Sequence, residues 1–258
     1  MKIAMTGAAT GIGAETAARL KARGHHVTAF DITEPAKNVD RFIQVDMSDP
    51  ASIDAALAEA DGPYDALINN AGIPPRDGLA ELVLKINFIG LRTFLNGMLG
   101  KLAPGASIVN TASRAGSMWR DNLHEVKALL ALDGFDAVAG FVQKQGIDAT
   151  RAYNLSKEAV IVMTMAETHG MLNRGFRMNS VSPAAVSTGI FDDFMKAFGP
   201  KVAQNLARVG RAGEAGEIAE VIVFLASPES HWLKGIDIVV DGGMGAIIAS
   251  EMLGLDPD

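Results

Sequence analysis

A doubly wound α/β fold, a seven-stranded parallel sheet between two layers of helices, is predicted for this chain by two sequence features and one rule of chain geometry. Short runs of apolar and β-branched residues, each closed by Gly, Asp or Pro, recur along the chain, as buried parallel strands require. Segments with apolar residues every three to four positions fall between them. Right-handed crossovers then distribute those helices over both faces of one sheet.

The elements follow in order. Strands are predicted at 2–6 (KIAMT), 26–31 (HVTAFD), 41–46 (RFIQVD), 65–70 (DALINN), 107–113 (SIVNTAS), 176–182 (FRMNSVS) and 236–241 (IDIVVD). Helices are predicted at 11–23, 51–60, 80–99, 152–171 and 215–226. Two regions break this rhythm. Residues 117–150 carry two amphipathic patterns, NLHEVKALLAL (122–132) and FDAVAGFVQK (135–144), and read as a helical insertion between the fifth strand and the next long helix. Their apolar faces must cover either their own protomer's pocket or a partner chain. Residues 188–208 form a Phe- and Met-rich segment after the sixth strand. No linker, repeat or charge block divides the chain, so one domain over 1–258 is expected.

Composition excludes several classes of function. With 48% hydrophobic and 21% charged residues the chain is globular and not disordered. A net charge of −7 argues against binding nucleic acid or an anionic membrane surface. Cysteine is absent, which removes disulfides, thiolate metal sites and a cysteine nucleophile. The histidines, His25, His26, His124, His169 and His231, show no metal-ligand spacing, so no metal is expected. Met1 leads straight into a strand and turn, and no apolar run reads as a membrane span. A soluble cytoplasmic protein is the expectation.

The first strand ends in TGAATGIG, Thr6 to Gly13. Gly7 allows a tight turn, Gly11 lets backbone approach a pyrophosphate, and Gly13 lets helix and strand pack closely. Free N–H groups at the helix start favour a diphosphate. Asp31 closes the second strand, where a carboxylate accepts both hydroxyls of an adenosine ribose and repels a 2′-phosphate. The expected cofactor is therefore NAD. Asp46, ending the third strand, reads equally as a contact to the adenine amine or as a helix-start residue.

Further motifs stand in a consistent order: NNAG (69–72), Asn87 in INFIG, Ser113 in NTASRAG, Tyr153 and Lys157 in YNLSK, SPAAVST (182–188) and VDGG (240–243). Together with the glycine-rich turn they resemble the short-chain dehydrogenases/reductases over nearly the whole chain. Within that family the sequence is most similar to the branch of bacterial 3α-hydroxysteroid dehydrogenase/carbonyl reductase and coniferyl alcohol dehydrogenase. The step of 40 residues from Ser113 to Tyr153, much longer than is usual in the family, points to that branch.

The resemblance implies a Rossmann-type fold and an NAD-dependent oxidoreductase interconverting an alcohol, bulky and secondary, cyclic or aromatic, with its carbonyl compound. It implies that Tyr153 is the acid/base and that Ser113 bonds the substrate oxygen. Lys157 would hold the nicotinamide ribose, and Asn87 would anchor a water path to it. The cofactor would lie on Gly7, Thr10, Gly11, Ile12 and Gly13, on Asp31, Asp46 and Met47, and on Asn70, Ala71 and Gly72. Tyr153, Lys157, Pro183, Val186 and Thr188 would meet its nicotinamide half. Physical chemistry agrees on the pair: the i, i+4 spacing places Lys157 on the face of Tyr153, where an ammonium lowers a phenol from its usual ~10.

The segment 188–208 would be a substrate lid, with Met118 and Trp119 as the opposite wall. Ala184 stands where the family usually has glycine; should that position need φ > 0, alanine would be strained by about 1 kcal/mol. A homo-oligomer, dimer or tetramer, is expected. Other chemistry on this scaffold (an epimerase, dehydratase or enoyl reductase) and a non-catalytic NAD-binding regulator are the alternatives.

Overall fold

The computed structural model describes residues 1–255, without the side chains of residues 201 and 202; the last three residues of the expected 1–258 domain lie outside it. The strands are β1 (Lys2–Thr6), β2 (His26–Asp31), β3 (Arg41–Gln44), β4 (Tyr64–Asn69), β5 (Leu102–Thr111), β6 (Arg177–Pro183), β7 (Val186–Ser187), β8 (Gly213–Glu214) and β9 (Asp237–Val240). Seven of them form one parallel sheet in the order β3-β2-β1-β4-β5-β6-β9, and β7 and β8 pair separately. The order runs outward from β1 in both directions, which is the doubly wound arrangement predicted.

Strand residues alternate between two cores, as side chains on a pleated strand must. Ile3 and Met5 of β1 enter one core, with Ala66 and Ile68 of β4 beside them. Ala4 and Leu67 point the other way. The first core is closed by α1 (Gly11–Ala22) and by α11 (Ala215–Ala226), through Leu20, Ile218 and Ile222. The other face is covered by α2 (Pro50–Glu59), α3 (Ala80–Leu84), α4 (Leu91–Met98) and α7 (Ala149–Ala166), through Ile53, Leu84, Phe94 and Val160.

The predicted helix 80–99 is broken. Between α3 and α4 the residues Lys85–Gly90 wind as a π-helix, a form that widens one turn and is common at functional sites. The run Ala80–Lys101 has the length and apolarity of a membrane span, with mean hydropathy 1.3 over its most apolar stretch. More than half of that stretch is buried, so here it serves as a core helix.

The insertion forms α5 (Leu123–Leu130) and α6 (Ala137–Gln145), packed on α7 and α3 of the same chain. Val126, Leu129, Val138 and Phe141 complete the core there. Arg151 of α7 ties the insertion down through Glu125 at 2.9 Å, and its other partner, Glu158 of the same helix, accepts from Asn122 of the insertion at 2.7 Å. The apolar residues of the insertion pack on helices of their own protomer.

The predicted helix 152–171 starts three residues early, where Asp148 caps it by accepting from Arg151 N, and continues as the separate α8 (Thr168–Asn173). Segment 188–208 splits at Gly199 into α9 (Phe191–Phe198) and α10 (Pro200–Val209). The last helix, α12 (Met244–Leu253), was not expected from the sequence.

Candidate active site

A cavity of about 1240 Å³ opens along the carboxyl ends of the strands, where ligands gather in sheets of this type. Its first end is built by the glycine-rich turn. Gly7 has φ +69°, and a Cβ there would fall 2.7 Å from the backbone of Ala71. A Cβ on Gly13 would fall 1.8 Å from the Gly7 carbonyl oxygen, so only bare backbone lets α1 sit on the turn. Gly13 therefore lies behind the turn, while Gly7, Thr10, Gly11 and Ile12 line the cavity. Thr10 begins α1 but makes no side-chain capping bond, leaving the N–H groups of the first turn for an anion.

Asp31 lines the same end. Its carboxylate accepts from Ala9 N at 2.9 Å and Thr33 N at 3.2 Å, which fixes it beside the turn. The turn, the free helix start and this carboxylate fit a dinucleotide. Asp46 and Met47 also line the wall. Asp46 accepts from Ser48 N at 2.8 Å and from Ser48 Oγ at 2.7 Å, the local bonding of a helix approach.

The floor is NNAG. Asn70 donates to the Gly7 carbonyl at 2.9 Å and accepts from Thr111 Oγ1 at 3.2 Å. Ala71 N donates to Thr6 Oγ1 at 3.1 Å. Asn69 donates to Asn110 Oδ1 at 2.9 Å, so these amides join β1, β4 and β5. Asn70, Ala71 and Gly72 all face the cavity.

Pro183, Val186 and Thr188 line the middle of the cavity, with the Thr188 methyl 3.5 Å from where a Gly11 Cβ would stand. The strain considered for Ala184 does not arise. Among the described residues Asn38 is the single non-glycine with positive φ, and Ala184 N donates to the Val240 carbonyl at 3.2 Å in ordinary strand-end backbone.

At the far end Ser113, Tyr153 and Lys157 come together. Ser113 follows β5, and its Oγ accepts from Ala115 N at 3.1 Å; the same hydroxyl acts on the Tyr153 phenol, lowering its pKa. Lys157 stands one turn along α7, its Nζ 5.7 Å from the Tyr153 ring centre, and donates to the Thr111 carbonyl at 2.9 Å. Tyr153 and Lys157 are only 6% and 5% exposed. That burial corrects the electrostatic expectation. Loss of water pushes the phenol up to about 12, with the nearby Ser113 hydroxyl a smaller opposing effect. The same loss pushes Lys157 down to about 8. The ammonium, committed to Thr111, does not offset the burial of the phenol.

Asn87 does not reach the cavity. It lies buried in the π-helical turn, donating to the Ile73 carbonyl at 3.0 Å and accepting from Ile73 N at 2.8 Å. It approaches Lys157 across Gly72, where a Cβ would be 3.1 Å from Asn87 Oδ1 and 3.7 Å from Lys157 Nζ.

Phe194 and Phe198 of α9 pack against the Tyr153 ring. Arg76 pairs with Asp193 at 2.8 Å and Arg208 with Glu251 at 2.8 Å, tying α9 to the loop after β4 and α10 to α12. Met118 lines the cavity as expected. Trp119 instead turns to the core, with the Arg120 guanidinium 4.2 Å over its ring.

Several lining residues were not singled out from the sequence, some of them inside its own motifs. Arg114 pairs with Asp241 at 3.3 Å. Ile32 forms an exposed apolar wall beside Asp31. Asn154 follows Tyr153, and Met244 and Ile248 come from α12. The spacing of Met244, Ile247 and Ile248 was the available signal for that helix.

Comparison with known proteins agrees with this geometry. Residues 2–124 match the family described as short chain dehydrogenase, and residues 137–245 match the one described as enoyl-(acyl carrier protein) reductase. The chain is 36% identical over 249 residues to coniferyl-alcohol dehydrogenase of Pseudomonas sp. (strain HR199 / DSM 7063), covering 95% of this chain and 96% of that protein. It is 28% identical over 257 residues to 3-alpha-hydroxysteroid dehydrogenase/carbonyl reductase of Comamonas testosteroni, covering 95% and 97%. The crystal structure of 3-alpha-hydroxysteroid dehydrogenase from Pseudomonas sp. B-0831 complexed with NADH superposes with a TM-score of 0.86 at 29% identity, covering 97% and 99% of the two chains. These are the two enzymes of the branch that the sequence resembles.

Proposed function

This chain belongs to the short-chain dehydrogenase/reductase family of oxidoreductases, and within it we propose an NAD-dependent enzyme that interconverts a bulky secondary, cyclic or aromatic alcohol and its carbonyl compound. The observation that carries this reading is the meeting of Ser113, Tyr153 and Lys157 at one end of a cavity whose other end holds the glycine-rich turn and Asp31. Asp31 supports NAD over NADP, since a fixed carboxylate repels a 2′-phosphate. The relatives named for coniferyl alcohol and hydroxysteroids support a bulky substrate.

Bound NAD(H) supplies or accepts a hydride at the substrate carbon. Tyr153, neutral at about 12, is in the state that carbonyl reduction needs: its O–H donates to the oxygen on which charge develops. Ser113 directs its hydroxyl to the same oxygen. Lys157 would hold the nicotinamide ribose and Thr188 the carboxamide. Phe194 and Phe198 keep water from the phenol. The enzyme is read as cytoplasmic and as a homo-oligomer, dimer or tetramer. Exposed Trp232, Ile236 and Val239, leading into or on the edge strand β9, support self-association. The net charge of −7 speaks against nucleic-acid or membrane partners.

The test is nicotinamide absorbance during a screen of cyclic, steroidal and aromatic alcohols and ketones, with NAD(H) and NADP(H) in parallel. Turnover at least about tenfold more efficient with NAD(H) is expected. Tight NADH binding with no turnover of any member would sink the reading, and a preference for NADP(H) would sink the role of Asp31.

A further inference from the structure

Helix α9 carries Phe191, Phe194, Met195 and Phe198 at spacings of three and four, an apolar stripe of the kind normally spent on a core. Yet no residue of α9 is fully buried. Phe194 and Phe198 instead line the cavity that holds Tyr153. They stand one turn apart, with ring centres 6.2 Å apart and planes within 14° of parallel. Both meet the Tyr153 ring steeply, Phe194 at 5.2 Å and 69°, Phe198 at 6.3 Å and 68°. Met118, 54% exposed, adds a polarizable side chain to the lining of the same cavity.

This arrangement is directional. An aromatic ring has an electron-rich face and a positive edge, so rings favour offset stacks and edge-on contacts. A planar aryl group can extend the parallel Phe194–Phe198 pair and meet Tyr153 edge-on, repeating the contacts the three rings already make. A saturated ring of the same size, with hydrogens above and below its mean plane, keeps the burial of area and loses the directional part.

We infer that Phe194 and Phe198 are specificity-determining residues, an aromatic clamp that selects an aryl group attached to the reacting carbinol or carbonyl carbon over its saturated counterpart. The inference rests on the reading that Ser113 and Tyr153 handle the reacting oxygen, because those residues place the substrate beside the two rings.

Binding of 1-phenylethanol and 1-cyclohexylethanol to the NADH-loaded protein tests it, by calorimetry, with turnover by NAD followed in parallel samples. The parent should bind the aryl alcohol about tenfold or more tightly than the saturated one. The double variant Phe194→Leu/Phe198→Leu should bring the ratio below about threefold, and Phe194→Tyr/Phe198→Tyr should restore it. A parent ratio near one, no detectable binding of the aryl alcohol at millimolar concentration, or a ratio that survives both leucines overturns the clamp. An aryl preference that follows the phenyl rings, without hydride transfer to NAD from either alcohol, sustains the clamp and sinks the oxidoreductase reading.

Discussion

Replacing Lys157 with methionine should make the cofactor-free protein more stable near neutral pH. The side chain is 5% exposed and makes one bond, to the Thr111 carbonyl. Burial lowers it from the usual 10.5 to about 8, which corresponds to ~3 kcal/mol against the ammonium in the fold. Because the folded value lies below the unfolded one, the unfolded chain holds the extra proton between ~8 and ~10.5. Stability therefore rises with pH across that window and is poorest below 8. Methionine keeps the length and apolar stem, removes the charge and gives up the Thr111 bond, at a cost of about 1–2 kcal/mol. The balance is a gain of ~1–2 kcal/mol at pH 7, or about 2–8 °C in Tm for a chain of this size. Urea unfolding at pH 7 and pH 10 measures it, with equal slopes required for both proteins. The advantage of Lys157→Met should close or reverse at pH 10, where the parent's amine is neutral. No advantage at pH 7, or one of equal size at both pH values, would refute the reasoning. A lysine kept at such a cost is kept for chemistry, not for the fold.

Three further outcomes follow from the same geometry. Gly13→Ala puts a Cβ 1.8 Å from the Gly7 carbonyl, so α1 must lift off the turn. A loss of ~2–3 kcal/mol and an NADH affinity more than tenfold weaker are expected by denaturation and fluorescence titration; unchanged affinity would count against the turn as the diphosphate site. Arg151→Met leaves Glu158, 1% exposed, without its cation and should cost ~3 kcal/mol in urea unfolding, most of it recovered in Arg151→Met/Glu158→Met. A phenol held at about 12 favours donation over abstraction. In steady-state pH profiles, kcat/KM for alcohol oxidation should climb from pH 7 to pH 9 while carbonyl reduction stays level or falls; parallel profiles would contradict the assignment.

Strand placement was legible because strands buried on both faces need short unbroken apolar runs, and turn residues close each run. Ile3 and Met5 go one way and Ala4 the other, whatever the rest of the chain does. Most of the ordered motifs were legible because they lie where strands end, and strand ends share one edge; Tyr153 and Lys157 come to that edge on α7. The π-helical turn at Lys85–Gly90 was not legible, since its apolar residues fit an α-helix equally well and the bonds of Asn87 to Ile73 form only in the folded chain. The break at Gly199–Pro200 could have been read from two residues that end and begin helices. Nothing in the Tyr153–Lys157 spacing reveals that both are buried, and burial set the direction of both pKa values against the simple ion–phenol argument. The glycine expected at position 184 was a habit of the family; here the backbone places Ala184 at ordinary φ.

The most direct test of Tyr153 as the acid/base is a single-turnover absorbance measurement on Tyr153→Phe. The NADH-loaded variant and the parent are mixed with a ketone that the parent reduces, after titration shows NADH affinity within about threefold. Phenylalanine preserves the ring that Phe194 and Phe198 pack against and removes only the hydroxyl. The account predicts hydride transfer slower by at least ~10²-fold, the size of a lost general acid. Transfer within a factor of a few of the parent's would mean that another group delivers the proton, and would contradict it.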